Sequence, residues 1–542
     1  MRSISEVTED KLRGGYYTPD FVVDSCVNRV QSLLGPVSNP SILEPSAGDG
    51  AFVRGVARSS WRSGASVVCV EKSPVEAAKC SNRALTAGVA CEVVPGSFFE
   101  WVATCDREFD CILGNPPFIR YQFVPAGERA AAESLLKRRQ LQLAGVSNLY
   151  IPFVLLSLQQ LRVGGAFAMV LPSEVLCTTS GEQVRSALLA NLEDLQVDLF
   201  PREAFPDILQ DVAVFSGRRR IAPLEAATVR FIEHRGSAIS IWSHGITLGD
   251  KKWMRFLLDS ESLESLALAL RLESVHPMRE VAKFTVSIVT GANSFFAVDH
   301  RTLMHHELGT WAKPLMSRSY DSPGLVFTVH DHEIAVEQGR PAWLLDFDSD
   351  SPDPESHEGA ATYLREGESS GLPSRYKCRI RTPWYRVPHI WAGDLMMSKR
   401  ASMHHRVILN AAEVLTTDTV YRGTMQPAYS GRERDLVAGF HNSLTLLSAE
   451  IEGRTYGGGV LELVPSEISA LVVPMLPTNG HLERLDELSR AVGGQRDPEE
   501  RLVHATNELL TEALPELGEL LEPLEEARQR LRRRRYDEHI SG

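Results

Sequence analysis

Short apolar runs alternate with amphipathic segments of helical length between about residues 40 and 220. The runs that we predict as strands are Ser41–Glu44, Val67–Glu71, Cys91–Val94, Phe109–Leu113, Ala166–Leu171 and Val212–Phe215. Strands that alternate with helices need crossover connections, which produce a mostly parallel and buried sheet. The pattern therefore predicts an α/β domain of the kind that binds a nucleotide or cofactor.

The pattern changes in the second half of the chain. Residues 246–475 show no regular alternation and are rich in Pro, Gly, His and aromatic residues, whereas Leu recurs at helical spacing from about residue 480. We predict an α/β domain over residues 1–245, a second domain of mixed α+β structure over 246–475, and a helical segment over 476–542. For the final run Arg532–Arg535 we expect a solvated helical turn, since cations complement the C-terminal end of the helix dipole.

Composition narrows the class of protein. The 57 Lys and Arg against 70 Asp and Glu give a net charge of −13, which disfavours a general nucleic-acid coat because such binding needs clustered cations. The chain shows neither a signal peptide nor an apolar run of the ~18 residues that span a bilayer, so we expect a cytoplasmic protein with no membrane partner. The eight cysteines contain no CxxC pair, which predicts reduced thiols rather than a disulfide framework or a zinc ribbon.

A tight glycine loop follows the first predicted strand. Gly48 and Gly50 let the backbone approach a ligand closely, although a plain strand-to-helix turn explains them equally well. Val53 stands where the third glycine of a GxGxxG motif would fall, so a dinucleotide site is disfavoured. Glu71 ends the second strand some twenty residues later, where an acid can accept both ribose hydroxyls. Together these features favour an adenosine-containing cofactor.

The segment Asn115-Pro-Pro-Phe118 ends the fourth predicted strand. Asn115 offers a side-chain carbonyl acceptor, and Pro116 offers a main-chain acceptor on a backbone that Pro117 stiffens further. Phe118 presents an aromatic face beside them. Two acceptors and a stacking ring suit a planar ring that carries an exocyclic amine.

These motifs together resemble the γ-class DNA N6-adenine methyltransferases, which include the TaqI-like and Eco57I-like modification enzymes of type II restriction–modification systems. The matching segments, in family order, are Gly15–Pro19, Glu44–Gly50, Glu71, Asn115–Phe118, Asn148–Phe153, Ala166–Pro172, Phe205–Val214, Val289–Asn293, Arg381–Tyr385 and Gly453–Gly459. The resemblance covers about residues 14–475. It implies a Rossmann-like methyltransferase domain dependent on S-adenosylmethionine, followed by a target-recognition domain.

The resemblance also implies which residues contact the cofactor. They are Tyr17, Thr18, Pro19, Glu44, Ala47, Gly48, Gly50, Glu71, Ser97, Phe98 and Asn115. Relatives usually carry an acid where this chain has Ser97, and a hydroxyl accepts only a weaker bond from the adenine amine of the cofactor. Phe98 is expected to stack on that adenine or, with equal weight, to fill the core. Thr18 and Pro19, considered without the resemblance, predict an N-cap and a first helical residue.

The implied substrate is an adenine swung out of double-stranded DNA. Phe118 would stack on one face of this base and Phe205 on the other face or its edge, while Asn115 and the Pro116 carbonyl oxygen polarise the amine. Positioning and electrostatics supply the rate, so we expect no metal and no His or Cys catalyst. We expect a monomer that protects DNA from a separate restriction endonuclease in the cytoplasm of a bacterium or archaeon.

For DNA recognition, we expect residues 375–386 to form a strand that projects basic side chains from one face. The predicted DNA contacts are Arg375, Lys377, Arg379, Arg381, Trp384, Tyr385 and Asn293. A solvated basic strand is the alternative. The second-half motifs are similar to those of SalI- and XamI-type modification enzymes, which implies a short palindrome containing TCGA.

Two other functions remain open at this point. Asn-Pro-Pro also occurs in methyltransferases that modify protein glutamine or RNA bases, although those lack a C-terminal domain of this size. A DNA-specificity module with a degenerate methyltransferase half is the other alternative, and Ser97 is the position that supports it. No carboxylate-and-lysine cluster of a fused nuclease is evident in the sequence.

Overall fold

The computed structural model describes residues 18–141, 147–201, 212–235, 238–348, 351–456, 459–477, 480–491 and 498–535. These residues form two compact units, one ending at Ser260 and one beginning at Glu261. None of the helices in the described part of the chain is both long enough and apolar enough to cross a bilayer.

One nine-stranded sheet organises the first unit. Its strands are β1 (Ser41–Glu44), β2 (Ser66–Glu71), β3 (Ala90–Pro95), β4 (Phe109–Gly114), β5 (Leu161–Pro172), β6 (Leu192–Leu199), β7 (Val212–Arg219), β8 (Ala226–Arg235) and β9 (Ala238–Thr247). Its α-helices are α1 (Asp20–Leu34), α2 (Ala51–Arg58), α3 (Pro74–Ala87), α4 (Phe98–Thr104), α5 (Ala126–Arg138), α6 (Tyr150–Gln160) and α7 (Glu182–Asn191). Short 3₁₀ helices cover Tyr121–Phe123, Ser173–Leu176 and Met254–Leu257.

The strands lie in the order β3-β2-β1-β4-β5-β7-β6-β8-β9. The pairs β1–β2, β2–β3, β1–β4, β4–β5 and β6–β8 are parallel, and β7 and β9 run antiparallel to their neighbours. The predicted α/β fold with a mostly parallel sheet is confirmed. The strand order reverses between β1 and β4, and open α/β sheets bind ligands in the crevice at such a switch point.

The sequence missed β6, β8 and β9. Strand β6 carries Glu193, Asp194 and Asp198 among its apolar residues, so it does not read as a buried run. The structure buries Asp198 by pairing it, because Gln196 Nε2 donates to its Oδ2 at 2.8 Å and His234 Nε2 lies 3.0 Å from its Oδ1. A satisfied polar group can be buried at little cost, which apolar patterning does not detect.

The second unit is a mixed α+β structure, as predicted. Its strands are β10 (Val275–Pro277), β11 (Ala282–Thr285), β12 (Ala297–Val298), β13 (Ala312–Met316), β14 (Val326–Phe327), β15 (Trp343–Leu345), β16 (Leu395–Ser398), β17 (Arg400–Ala401), β18 (Val407–Asn410), β19 (Leu415–Thr416), β20 (Val420–Met425), β21 (Arg454–Tyr456), β22 (Val460–Glu462) and β23 (Val472–Pro474). They form sheets ordered β11-β20-β16-β18-β14, β12-β15-β13-β19, β17-β22-β21 and β10-β23.

Helices cover these small sheets. They are α8 (Ser260–Ala269), α9 (Met278–Val281), α10 (Asn293–Phe296), α11 (His300–His305), α12 (Val329–Glu337), α13 (Glu358–Ser369), α14 (Tyr376–Arg379), α15 (Glu433–Phe440), α16 (Ser443–Glu452), α17 (Pro465–Ile468), α18 (His481–Ala491), α19 (Pro498–Ala513) and α20 (Pro515–Arg535). The 3₁₀ helices are Gly309–Trp311, Ser319–Asp321, Pro354–Ser356, Leu372–Ser374 and Pro427–Tyr429.

The C-terminal arginine run is not a solvated turn, so that expectation was wrong. Arg532 and Arg535 are only 5% and 4% exposed. The Arg535 guanidinium donates to both carboxylate oxygens of Glu450, at 2.8 and 3.1 Å from Nε, and to the main-chain oxygen of Ser402 at 2.7 Å. Arg532 pairs with Glu500 on α19. Arg532 and Arg535 therefore fasten α20 to the rest of the second unit through largely buried ion pairs, whereas Arg533 of the same run is exposed.

Candidate active site

The loops that follow β1 and β4 meet at the switch point of the sheet. Both strands end at the same edge because they are parallel neighbours. The Ser46 hydroxyl after β1 donates to the main-chain oxygen of Asn115 after β4, at 3.1 Å. The two motifs that the sequence singled out separately are thus one site in the structure.

The glycine loop is held by the strand-end acid, Glu71. The Gly48 N–H donates to Glu71 Oε2 at 2.8 Å, and the Ser73 N–H donates to Oε1 at 2.7 Å. Gly48 and Gly50 adopt φ of +54° and +87°, the left-handed region that favours glycine. Apart from Gly48 and its two chain neighbours, no described residue has an atom within 4 Å of a Cβ placed on Gly48, so one side of the loop is open to a ligand.

The two acids of the site, Glu44 and Glu71, are buried and half-buried respectively. Burial raises the pKa of the Glu71 carboxyl, against the bonds from the Ser73 and Gly48 N–H groups, which lower it. Glu44, at the end of β1, is 2% exposed, and its burial raises its pKa well above the usual range of a glutamate. The Cys69 thiol lies 3.5 Å from Glu44 Oε2. Glu44 therefore favours its protonated form, whereas Glu71 is arranged to accept hydrogen bonds.

Asn115 is fixed at its amide nitrogen and open at its amide oxygen. Its Nδ2 donates to Thr18 Oγ1 at 3.1 Å, and Thr18 is 5% exposed. Its Oδ1 is buried and has no hydrogen-bond partner among the described residues. A buried polar atom without a partner costs about 1–3 kcal/mol of stability, so its presence calls for a functional explanation. A ligand amine that donates to Oδ1 would supply one.

The helix beside this site begins one residue later than expected. Pro19 is the N-cap of α1, and its main-chain oxygen accepts from the Val22 and Val23 N–H groups, both at 3.1 Å. Thr18 is therefore not the cap, because its hydroxyl accepts from Asn115 instead. Tyr17 and Phe205 lie outside the described residues, and their predicted roles stay predictions.

The segment 148–150 carries two buried polar atoms to which the sequence assigned no role, one of them on the aromatic neighbour of Phe118. Phe118 is half-buried, and its ring meets that of Tyr150 edge-on with centroids 6.2 Å apart. The Tyr150 hydroxyl and Asn148 Oδ1 are both buried without a hydrogen-bond partner in the described part of the chain. Burial also raises the pKa of Tyr150 well above its usual range. The motif Asn148-Leu-Tyr150 contains these residues, so a family motif was the available signal.

Ser97 and Phe98 after β3, and Ala47 after β1, are further residues that we predicted to contact the cofactor. Ser97 is the N-cap of α4, but its side chain makes no capping bond within the described structure. Phe98 is 3% exposed, and its ring stacks on that of Phe153 with centroids 4.9 Å apart. Phe98 is thus part of the aromatic core, and its contact with the cofactor stays a prediction. Ala47 is buried and donates its N–H to the Val70 oxygen at 3.0 Å.

The predicted recognition strand is not formed. Residues Tyr376–Arg379 form the short helix α14 instead, and the Arg379 N–H donates to the Arg375 oxygen at 2.8 Å. The alternation of charges was misleading because Tyr376 and Ile380, which a strand would place on the same face as the buried Cys378, are both exposed. Arg375, Lys377 and Arg379 are all exposed, and we call these three residues the basic cluster.

Other predicted DNA contacts bond within the second unit. Arg381 donates to the main-chain oxygens of Val289 and Thr290 at 2.6 and 2.7 Å. Tyr385 donates to Glu355 Oε1 at 3.0 Å, and Asn293 Nδ2 donates to Asp418 Oδ1 at 2.9 Å. The half-buried Trp384 packs on Phe295, with centroids 5.4 Å apart. The structure thus joins the segments 289–293 and 375–386, and their roles toward DNA stay predictions.

Three cysteines of the first unit come together, which the sequence did not predict. The thiols of Cys69 on β2, Cys80 on α3 and Cys91 on β3 all lie within 4.8 Å of one another, and we call them the thiol cluster. Their spacing of eleven residues matches no short metal motif, so the cluster arises only from strand register and helix placement.

The fold and the geometry of the site indicate the same class of protein. A glycine turn held by a strand-end acid, beside an amide acceptor at a switch point, fits an adenosine cofactor and a substrate amine. The class is that of Rossmann-like, S-adenosylmethionine-dependent methyltransferases.

Comparisons with known proteins identify the family within this class. Residues 87–205 match the model of the Eco57I restriction-modification methylase, and residues 250–510 match that of the C-terminal domain of the type II methyltransferase M.Eco57I. The type II methyltransferase M.AccI of Acinetobacter calcoaceticus is 21% identical over 458 residues, which are 81% of each chain. M.PaeR7I of Pseudomonas aeruginosa is 26% identical over 346 residues, 54% of this chain and 58% of its own.

A solved structure shares the fold. The type IIL restriction-modification enzyme MmeI, determined in complex with DNA, superposes with a TM-score of 0.53 at 10% identity over 97% of this chain and 77% of its own. The chain belongs to the Eco57I-like methylases of type II restriction–modification systems. It is a DNA methyltransferase, as predicted, and S-adenosylmethionine is its cofactor.

Proposed function

We propose that this methyltransferase transfers a methyl group to N6 of an adenine that is swung out of double-stranded DNA at a specific site. The observation that carries the proposal is the buried, unpartnered Oδ1 of Asn115. An adenine N6 amine donates two N–H bonds, and Asn115 Oδ1 is an acceptor already fixed in place through its own Nδ2. Such preorganised groups cost no rearrangement when the reaction occurs.

The residues of the Asn-Pro-Pro-Phe segment have separate roles in this proposal. Asn115 Oδ1 and the main-chain oxygen of Pro116 accept the two N–H bonds, which draws the nitrogen lone pair out of conjugation. Pro117 stiffens the backbone that carries them. Phe118 stacks on one face of the base, and Phe205 is proposed for the other face or edge.

S-adenosylmethionine supplies a sulfonium-bound methyl group. Gly48 and Gly50 would bring the backbone close to this cofactor, and Glu71 would accept from its ribose hydroxyls. Tyr17, Thr18, Pro19, Glu44, Ala47, Ser97 and Phe98 are the further contacts that we propose. Formation of the N–C bond with loss of the S–C bond would leave an acidic methylated nitrogen whose proton would pass to solvent, so the transfer would need no strong base from the protein.

The remaining proposals concern DNA and partners. We propose that the basic cluster contacts phosphates, since its three cations are exposed together on one short helix. We further propose a monomer that acts in the cytoplasm, with a separate restriction endonuclease as its functional counterpart. A recognition palindrome containing TCGA stays a prediction.

Labelled methyl transfer from S-adenosylmethionine distinguishes this function from its alternatives. The full-length chain is incubated with a DNA duplex library, with structured RNA or with a peptide-release factor, and the labelled product is hydrolysed and identified. We expect label in N6-methyladenine of DNA alone. Label in protein glutamine or in an RNA base would contradict the proposal, and absence of transfer to any substrate would support a degenerate specificity module.

A further inference from the structure

The thiol cluster lies outside the residues to which the methyl transfer assigns a role. Cys69 and Cys80 are fully buried and Cys91 is half-buried. Their sulfur atoms come from two strands and one helix, so three separate elements converge on one point. Three thiols this close to one another are a typical donor set for a thiophilic metal ion.

We propose that Cys69, Cys80 and Cys91 bind one divalent ion of the Zn²⁺ type, with the carboxylate of Glu44 as the fourth ligand. The donor atoms of a tetrahedral site fit the distances. Zn–S bonds of about 2.3 Å place two sulfurs of one ion about 3.8 Å apart. The Cys69 and Cys91 sulfurs are 3.6 Å apart, and all three sulfurs lie within 4.8 Å.

The distance to Glu44 fits the same geometry. A sulfur and a carboxylate oxygen on one tetrahedral Zn²⁺ lie about 3.6 Å apart, given bonds of about 2.3 and 2.1 Å. The measured distance between Cys69 Sγ and Glu44 Oε2 is 3.5 Å. Binding would release the protons of the three thiols and of the Glu44 carboxyl to solvent and leave each ligand with a lone pair on the ion.

A disulfide between Cys69 and Cys91 fits less well. In the parallel pairing of β2 and β3, Cys69 lies opposite Val93 and Cys91 lies opposite Val67. A two-residue offset between neighbouring strands separates Cα atoms by about 8 Å, since strands are ~4.8 Å apart and rise ~3.3 Å per residue. Disulfides need about 4.4–6.8 Å between Cα atoms. The register thus brings the sulfurs near one another but keeps the backbones too far apart for a bond.

The half-buried position of Cys91 gives an ion a route from solvent to the cluster. The cluster also lies next to the glycine loop, because a Cβ on Gly50 would lie 3.0 Å from Cys80 Sγ. A bound ion would therefore join β2, β3 and α3 directly beneath the turn between β1 and α2. This placement predicts a structural ion that stiffens the loop.

Co²⁺ is the probe for this site, because thiolate–Co²⁺ bonds give charge-transfer absorption and tetrahedral Co²⁺ gives intense d–d bands. Full-length protein, reduced and freed of metal by a chelator, is titrated with Co²⁺. We expect one ion per chain with both absorptions, and loss of both when one equivalent of Zn²⁺ is added. Excess Co²⁺ that produces no thiolate charge-transfer absorption in the parent protein would overturn the proposal, and that result needs no variant to fold.

Variants then locate the ion. Cys91 is the most accessible of the three proposed thiol ligands. Cys91→Ser should weaken Co²⁺ binding by at least about 10–100-fold, which is the loss seen when only an outer-shell partner of a metal ligand is removed. Cys105→Ser is the matched control, since Cys105 is also half-buried but does not belong to the cluster. Glu44→Gln should weaken binding while it keeps the thiolate absorption. Equal Co²⁺ binding by the parent and Cys91→Ser would also overturn the assignment. These readouts do not involve methyl transfer, so failure of the metal site and failure of the proposed function are distinguishable, although Glu44 is also a proposed cofactor contact.

Discussion

At the scale of single residues, the amide of Asn115 has a hydrogen-bond partner at its nitrogen but, among the described residues, none at its oxygen. Thr18 accepts from its nitrogen, which fixes the orientation of the amide, and its buried oxygen has no partner among the described residues. Such an atom destabilises the free protein and becomes favourable only when a donor arrives. The same atom that costs stability would therefore contribute to catalysis, because the donor we propose is the reacting amine.

Asn115→Ala should lower kcat for methyl transfer by about 10²–10³-fold, the usual cost of removing one preorganised hydrogen-bonding group from an active site. Binding of S-adenosylmethionine, measured by calorimetry, should change far less, since Glu71 and the glycine loop remain. Asn82→Ala is the matched control, because Asn82 is exposed on α3. A variant at Asn115 that methylates as well as the parent would remove the residue from the mechanism.

Glu44 predicts a dependence of stability on pH. Its pKa in the folded chain is raised by burial above the 4.5 that is usual for a glutamate, so folding takes up a proton above about that pH. The stability contributed by protonated Glu44 is complete below the pKa of the unfolded chain. It is lost as pH rises toward the raised pKa of the folded chain, by at most about 1.4 kcal/mol per pH unit.

Glu44→Gln should therefore gain stability relative to the parent as pH rises from about 5 to about 8. Free energies of unfolding from urea titrations at both pH values, with a chelator present to exclude metal, measure this gain. Glu100→Gln is the control, since Glu100 is exposed on α4. If the parent and Glu44→Gln lose stability in parallel, the raised pKa is refuted.

At the scale of elements, helix α20 shows how a basic run can be structural. Arg535→Met should destabilise the protein by about 3–5 kcal/mol, because it leaves the carboxylate of Glu450 buried and uncompensated. The double variant with Glu450→Gln should recover part of this loss, and urea unfolding measures both. Arg533→Met, at an exposed position of the same run, should stay within about 0.5 kcal/mol of the parent. Equal stability of the Arg535 and Arg533 variants would show that the buried pair does not hold the helix.

Helix α14 predicts how DNA binding responds to salt. Each phosphate contact contributes about 0.9 to the slope of log K against log salt, so replacing the basic cluster with Gln should flatten the slope by about two to three. A duplex titrated at several salt concentrations measures it. Arg301→Gln with Arg365→Gln is the control, since both residues are exposed elsewhere in the second unit. An unchanged slope in the cluster variant would exclude these residues from the interface.

The elements also show what patterning can predict. Strand β1 matches its prediction residue for residue and β4 extends it by one residue, because both are short apolar runs buried in a parallel sheet. Strand β6 was missed because its acids interrupt the apolar pattern, and the one that is buried, Asp198, is paired with Gln196 on the same strand and with His234 on β8. Residues 375–386 were predicted as a strand because alternating charges resemble the period of a strand. Residues Tyr376–Arg379 form a helical turn instead, and Tyr376 and Ile380 are exposed although a strand would place them on the face of the buried Cys378.

The site residues likewise divide into those that local sequence patterns can predict and those that they cannot. Gly48, Glu71 and Asn115 were predictable because each follows a strand end, and parallel strands bring their ends together. The unpartnered oxygens of Asn148 and Tyr150 were not predictable, since hydrogen bonding depends on neighbours that sequence does not reveal. The thiol cluster depends on the register of β2 against β3, which no local pattern specifies.

At the scale of the whole molecule, the net charge of −13 first argues against nucleic acid. The family and the exposed basic cluster indicate instead that an acidic chain contacts DNA through a small local group of cations. Since the basic cluster is the one phosphate-binding site that we propose, non-specific DNA binding should be weak, with a salt slope well below the value of about ten that marks extensive phosphate contact. Selectivity for one site would then come from the contacts to bases rather than from charge.

The central claim is that Asn115 presents its oxygen to the N6 amine of an extruded adenine. The most direct test is to sequence, with detection of modified bases, the DNA of cells that express the full-length chain or its Asn115→Ala variant. We predict N6-methyladenine at one short sequence motif in cells with the parent chain, and unmodified adenine at that motif in cells with the variant. Methylation of cytosine, or adenine methylation that persists in the Asn115→Ala variant, would contradict the claim.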